Sequence, residues 1–416
     1  MRRYTFLLIL LPLLTACLNN ETTKKKKNEQ FSGYEQITEL KNVAYGNIDR
    51  KELKVIPVDT RDESAEVDLG KIIDSVRFIK LEVTDSSLVG KIDKVFFDAG
   101  KIFVVDRSSA KGVFIFDANG KFLTRIGALG KAPNEFLDLR DVAIDKGKRQ
   151  LILLDLSGRK CLFFDYEGNF LDSKKMYYYY SGLQVLDSSH VALSTETAAN
   201  FHVPSINNNY LVIGDFEGRA SAKYFPYNEN ARAFTYFNEF PLRKFGDQVF
   251  FNPRFNDTIF GFSGGELSAR FALDLKGDEI SDRDKRALTD AAFTKFMARY
   301  SYFNGEYVYT DNALFGKVIT RFSPSYFIYS PSSGRTMSGR QLNITQPEFG
   351  FLTSSIGTAN RNEMVSVANP GELMNMNKFM TRTNALKTVG KKFRELLKDV
   401  TENDNPVLFI YKIKPF

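Results

Sequence analysis

The sequence predicts an all-β fold, a six-bladed β-propeller of four-stranded antiparallel blades with one or two inserted helices. Three observations predict it. An Asp-x-x-Gly turn recurs at Asp117–Gly120, Asp165–Gly168 and Asp215–Gly218, with glycines 48 and 50 residues apart, a spacing typical of propeller blades. Apolar alternation of strand period flanks each turn, as in VFIF before Asp117 and FLTRI after it. A lone strand pattern stands at each end of the array, VRFIKL (76–81) and VLFIYK (407–412). Joined in one shared blade, the two ends close the ring and remove its exposed edges.

The chain opens with Arg2 and Arg3, an apolar run FLLILLPLL (6–14) and then Leu14-Thr15-Ala16-Cys17. The run is of signal-peptide length and too short to span a bilayer. Its end resembles the lipobox of bacterial lipoproteins, which implies cleavage before Cys17 and acylation of that residue. The expected organisation is a signal peptide over 1–16, a lipidated Cys17 with a polar tether and extension over 17–66, and the propeller over 67–416. The tether carries Lys24–Lys27 and too little apolar surface to fold.

The formal charge of +7 shrinks once its location is considered. Signal cleavage removes Arg2 and Arg3, and the tether holds four lysines against Glu21 and Glu29, so residues 31–416 carry only +3. Nucleic-acid binding needs a concentrated basic face in the folded part, so nucleic acid is not an expected partner. With Cys17 acylated, Cys161 has no disulfide partner and reads as a small buried hydrophobe in KCLFFD.

Each repeat reads as four strands. The first unit runs through 92–97 and 101–105 before its hairpin, and the second through 141–144 and 150–154. Degenerate copies follow at FGFSGGELSARFALD (Gly265) and YFIYSPSSGRTM (Gly334). Two insertions interrupt the later repeats. Residues 281–300 place Leu288, Ala292 and Phe296 at helical spacing, and 384–400 place Leu386, Val389, Phe393, Leu396 and Val400 on one stripe.

RIGALGKAPNEFLDLRDVAID (125–145) is similar to the linker of NHL-type repeats. More broadly, residues from about 67 to 416 resemble the six-bladed β-propeller lipoproteins of Bacteroidota. The segments that carry the likeness are IKLEVTDSSLVGKIDKVFFDAGKIFVVDRSSAKGVFIFD, KYFPYN, KFGDQVFFNPRFNDTIF and NPVLFIYKIK. The resemblance implies this fold and an envelope location, an outer-membrane lipoprotein facing the periplasm, held to the membrane by its N-terminal lipid.

Motifs for chemistry are sparse. His190 and His202 are the only histidines and have no metal-binding spacing; no metal, cofactor or catalytic residue is assigned. Asp106 and Asp155 end the parallel runs IFVVD and LILLD, and their repetition points to carboxylates that hold turns by accepting backbone N–H bonds. Tyr177–Tyr180 reads as a strand with alternate rings turned inward. By fold analogy, ligand positions lie where innermost strands begin: Asp93, Arg140, Asp141 and Gln184, with Lys91 adjacent. Arg254 and Asn256 join them because they interrupt an apolar stretch. The expected function is a membrane-anchored binding or scaffolding module for a protein, peptide or glycan. The alternative is a carbohydrate lyase or hydrolase with a carboxylate-based site at the channel mouth.

Overall fold

The computed structural model describes residues 31–229, 238–263, 265–276, 280 and 289–416. Their strands form six antiparallel blades around a central axis. Blades 1 to 5 occupy residues 94–126, 139–175, 182–226, 242–274 and 301–339. Blade 6 takes Ser355–Asn360, Glu363–Ala368 and Val407–Ile413 from the end of the chain and Ile73–Ile79 from near its start. The closing register pairs Leu408 with Ile79, Phe409 with Phe78 and Ile410 with Arg77. The ring is therefore shut by the two terminal strands that the sequence left unpaired.

The uninterrupted apolar runs follow from this arrangement. A blade is covered on both faces by its neighbours, so both sets of alternating side chains must be apolar. Ile102 and Val104 pack with Val365 and Leu408 of blade 6. Phe103 and Val105, one residue out of phase, pack with Val142 and Leu151 of blade 2.

The repeated turn has one cause in every copy. Asp117 Oδ1 accepts from the N–H groups of Asn119 and Lys121, Asp165 Oδ1 from Glu167 and Asn169, and Asp215 Oδ1 from Glu217 and Arg219. Gly120, Gly168 and Gly218 then turn the chain at φ of +87°, +90° and +87°, a region that costs glycine little. Asp106 and Asp155 are fully buried and each accepts three backbone N–H bonds. The donors are Gly90, Lys91 and Ser109 for Asp106, and Leu137, Asp138 and Gly158 for Asp155. Both carboxylates hold turns.

Residues 31–72 run around the outside of the ring. Phe31 stacks on His202 at 4.9 Å between blades 2 and 3. Tyr45 bridges to Lys223 of blade 3. Ile48–Asp49 and Lys54–Pro57 pair in parallel with the outer strand of blade 4, making that sheet six-stranded. Glu66–Asp68 pairs with Gln341–Asn343 beyond blade 5. Ile56, Val58 and Val67 are wholly buried in this path. The segment covers edges that would otherwise stay open. Cys17 and the lysine run lie outside the described residues.

Two local expectations are corrected, and the first inserted helix is described only in part. Tyr177–Tyr180 is not a strand but the link between blades 2 and 3. Tyr178 and Tyr180 are nonetheless buried, edge to face at 5.9 Å, and the Tyr180 hydroxyl lies 3.3 Å from Cys161 Sγ. That thiol is buried and free, its pKa pushed up to about 12 by burial. The first helix spans Asp290–Met297, capped by Thr289, with 281–288 outside the described residues. The second is Lys391–Asp399, because Asn384–Thr388 forms only a tight 3₁₀ turn. A longer helix, Pro370–Arg382, went unread, although Asn369-Pro370-Gly371-Glu372 is a capping box with proline at the first helical position.

Candidate functional site

A cavity of about 470 Å³ lies at the axis, lined by the innermost strands of blades 1, 3, 4, 5 and 6 and by the segment Asn238–Phe240. At the end away from the mouth, blade 4 reaches across the axis. The hairpin joining Leu242–Phe245 to Gln248–Phe251 crosses the ring, and its tip holds the opposite wall. Lys146 of blade 2 pairs with Asp247 at 3.1 Å, and Gly246 N–H donates to Thr358 Oγ1 of blade 6 at 3.3 Å. Gly246 sits at φ +59°, which suits so tight a reversal.

At the mouth, the end where innermost strands begin, the link into blade 4 also reaches across. Glu239 pairs with Arg107 of blade 1 at 2.6 Å, and the Phe240 ring lies under Arg107 at 4.4 Å and under Lys94 at 5.0 Å. Space therefore remains to one side of the axis, toward blade 5. There the innermost strand Ser301–Tyr309 carries a bulge between Phe303 and Tyr307. Gly305 in that bulge has φ +79°, and a Cβ on it would fall 2.1 Å from Asn238 Nδ2. Glycine is required there twice over. The bulge sets the direction of Tyr307.

The charges at the mouth are largely committed to each other. Lys94, buried, donates to Asp141 Oδ1 at 2.5 Å, while Asp141 Oδ2 accepts from Leu183 N–H at 3.0 Å. Burial pulls the Lys94 ammonium below its ordinary pKa, and Asp141 opposes that pull. Asp93 is engaged by Lys91 at 2.9 Å, by Arg107 at 3.5 Å and by the Arg107 N–H at 2.8 Å. Glu306 is held by Lys317 and by Asn304 Nδ2, the latter at 2.8 Å.

Arg243 differs from these. Among the described residues its guanidinium has no hydrogen bond or ion pair, and its Nε is buried without a partner; its contact is with the Tyr307 ring, 5.4 Å from the centroid. Burial lowers its pKa from the ordinary value. Two other cavity-lining groups, Gln184 Oε1 and the Tyr307 hydroxyl, are buried without a partner as well. Lys244 alternates to the other side of the strand, where its ammonium reaches Ile144 C=O of blade 2 at 3.4 Å.

Among the positions expected from the sequence, Asp93 and Gln184 line the cavity. Lys91, Arg140 and Asp141 stand beside it, Arg140 through its carbonyl, which accepts from Arg107 at 3.0 Å. Arg254 and Asn256 are elsewhere. Arg254 donates to Tyr210 OH at 3.3 Å, and Asn256 Oδ1 accepts from Thr258 N–H within its own turn. Sequence reasoning missed Arg243, Tyr307, Lys94 and Phe240. A signal existed for the first, since PLRKFGDQVFF sets two adjacent cations inside an otherwise apolar strand. His190 bonds Asp187 in a surface turn at 3.0 Å, and His202 Nε2 lies 3.0 Å from Tyr177 C=O under Phe31.

Comparison with known proteins adds a family and a fold. The family described as "Domain of unknown function (DUF4934)" matches residues 53–412. A crystal structure of a protein from Bacteroides fragilis, described as exported, is 17% identical with TM-score 0.67, covering 87% of this chain and 99% of that one. A member of the duf4221 family from Bacteroides vulgatus is 10% identical with TM-score 0.49, covering 82% and 97%. No curated protein matches. The first likeness supports the six-bladed fold alone. Among the described residues, no helix is long and apolar enough to cross a membrane.

Proposed function

The chain belongs to the DUF4934 family, and from that premise we propose that it is an exported binding module whose ligand sits in the cavity beside the axis. The observation that carries this reading is a cavity whose lining residues include buried polar groups without partners, Gln184 Oε1 and Tyr307 OH. Buried polar atoms are nearly always paired, and those left open in a concave site suit a ligand. Binding is favoured over carboxylate-based hydrolysis because Asp93, Asp141 and Glu306 are each tied to a cation. Such hydrolysis needs two carboxyl groups free to flank the scissile bond. The partner is a small molecule or the end of a peptide or glycan, as the cavity volume admits no folded domain.

The test is a substitution that fills the cavity. Gly357 lines it, and a Cβ there meets nothing closer than 3.6 Å. Gly357→Phe is expected to keep the melting transition and to lose the hits of the full chain on an array of neutral and acidic oligosaccharides and short peptides. Hits that survive the substitution would place the binding surface elsewhere. Turnover of a bound glycan, abolished by Gly357→Phe, would move the protein to the lyase or hydrolase class.

The envelope placement rests on the N-terminal sequence and on the exported relative. In this reading Cys17 is acylated and holds the ring to the outer membrane, facing the periplasm. The same reading takes the linker 125–145 as NHL-like, with Gly127 at φ +113° lying against buried Phe136. Cys17→Ser should release the protein into the soluble fraction. Retention in the membrane fraction would remove the lipid anchor from the account.

A further inference from the structure

We propose that the cavity seats a small monocarboxylic acid that also carries hydroxyl or amide donors, with Arg243 as the group that takes the carboxylate. This rests on the cavity being the ligand seat, and it adds what the ligand is.

The argument begins from charge. Lys94 is neutralised by Asp141, Lys317 by Glu306, and Arg107 by Asp93 and Glu239. Lys244 turns its ammonium toward Ile144 of blade 2. Among the described lining residues, Arg243 is then the cation with neither an ion pair nor a hydrogen bond; Glu306 and Glu239 act on it from a distance but are held by Lys317 and Arg107. A guanidinium cannot discharge itself by losing a proton at physiological pH, and taking it out of bulk water without a counterion is costly. Its Nε is fully shielded and unpartnered. A planar fork matches a carboxylate through two parallel N–H···O bonds. A single fork matches one carboxylate, and the nearby Glu306 and Glu239 disfavour a phosphate dianion.

The rest of the ligand is read from the neighbours. The Tyr307 hydroxyl, buried and unpartnered, can donate to the same anion. Gln184 is 1% exposed, and its unpartnered Oε1 calls for a donor on the ligand. Phe96, Phe240 and Phe315 supply apolar walls. The volume of about 470 Å³ suits a molecule of one or two sugar or amino-acid units. A sugar acid and the carboxyl end of a short peptide share this chemistry.

The experiment measures equilibrium binding and thermal shift of the full chain with matched probes at millimolar concentration. These are galacturonate against galactose, N-acetylalanine against its amide, and inorganic phosphate. At least one acid should bind, with its uncharged counterpart weaker by about tenfold or more. Arg243→Gln should lose that acid by a similar factor, and Arg243→Lys by less. The acid that binds identifies the source as carbohydrate or peptide. Equal binding of the uncharged counterparts, or an unchanged Arg243→Gln, overturns the inference while the cavity reading stands. Phosphate bound in preference to both acids overturns it too, as does failure of both acids to bind; the array result with Gly357→Phe then judges the cavity separately. Arg243→Met provides a second readout without ligand. It should raise the melting temperature, because a partly desolvated cation without an ion pair of its own is removed. A fall would make Arg243 a structural residue and overturn the inference.

Discussion

Asp141→Ala should lower the stability of the ring by about 3–5 kcal/mol, read as a reduced urea midpoint with an unchanged slope. The substitution strands two groups at once. Lys94, whose side chain is only 10% exposed, loses its counterion, and the Leu183 N–H loses the carboxylate oxygen it bonds at 3.0 Å. These belong to blades 1 and 3, so a single carboxylate on blade 2 ties three neighbours at the axis. Replacing both partners, as in Lys94→Met with Asp141→Leu, should recover most of the loss, since apolar pairs can substitute for buried ion pairs. A loss below about 1 kcal/mol for Asp141→Ala would put the pair in the range of exposed ion pairs and mean that water reaches Lys94.

Phe409→Ala should cost about 3–5 kcal/mol, measured in the same way. Phe409 is completely buried in the closing blade. Its ring meets Phe351 at 4.7 Å, Phe78 at 4.8 Å and Phe393 at 6.2 Å. Those contacts come from the segment before blade 6, from the N-terminal strand and from the helix Lys391–Asp399. Truncation leaves a cavity where the chain ends meet, and protection of Ile73–Ile79 against proteolysis should fall with it. Leu123→Ala on the outer strand of blade 1, where the side chain is 46% exposed, should change stability by no more than about 0.5 kcal/mol. If the two variants matched, the shared blade would not hold the ring.

What the sequence made legible was what repeats. Asp117, Asp165 and Asp215 make the same bonds, so their spacing carried the blade period and hence the fold. Asp106 and Asp155 were readable as turn-holders for the same reason. The candidate site was legible only where it copied that pattern. Asp93, Asp141 and Gln184 stand at or near the start of innermost strands, so counting along the repeat found them. Arg243 and Tyr307 depend on how blades 4 and 5 depart from the pattern, through a hairpin that crosses the axis and a bulge at Gly305. Departures of this kind are set by packing between residues far apart in sequence, such as Asn238 against Gly305. The helix Pro370–Arg382 escapes the pattern for another reason: its cap is written locally, but Leu373 and Met380 are its buried residues, too few to write an apolar stripe. Arg254 and Asn256 drew notice as polar breaks in an apolar run, a pattern that turn residues produce as readily as ligand contacts do.

The hairpin of blade 4 has a consequence for kinetics. Gly246 and Asp247 are fastened to blades 6 and 2 across the axis, so the tip of blade 4 stands in the way of a ligand at that end. For a ligand in the proposed seat, entry and exit would then run past Glu239 and Phe240, and residence time would follow how often that short segment yields. Weakening the Arg107–Glu239 pair would then speed capture and escape together and leave affinity nearly where it was.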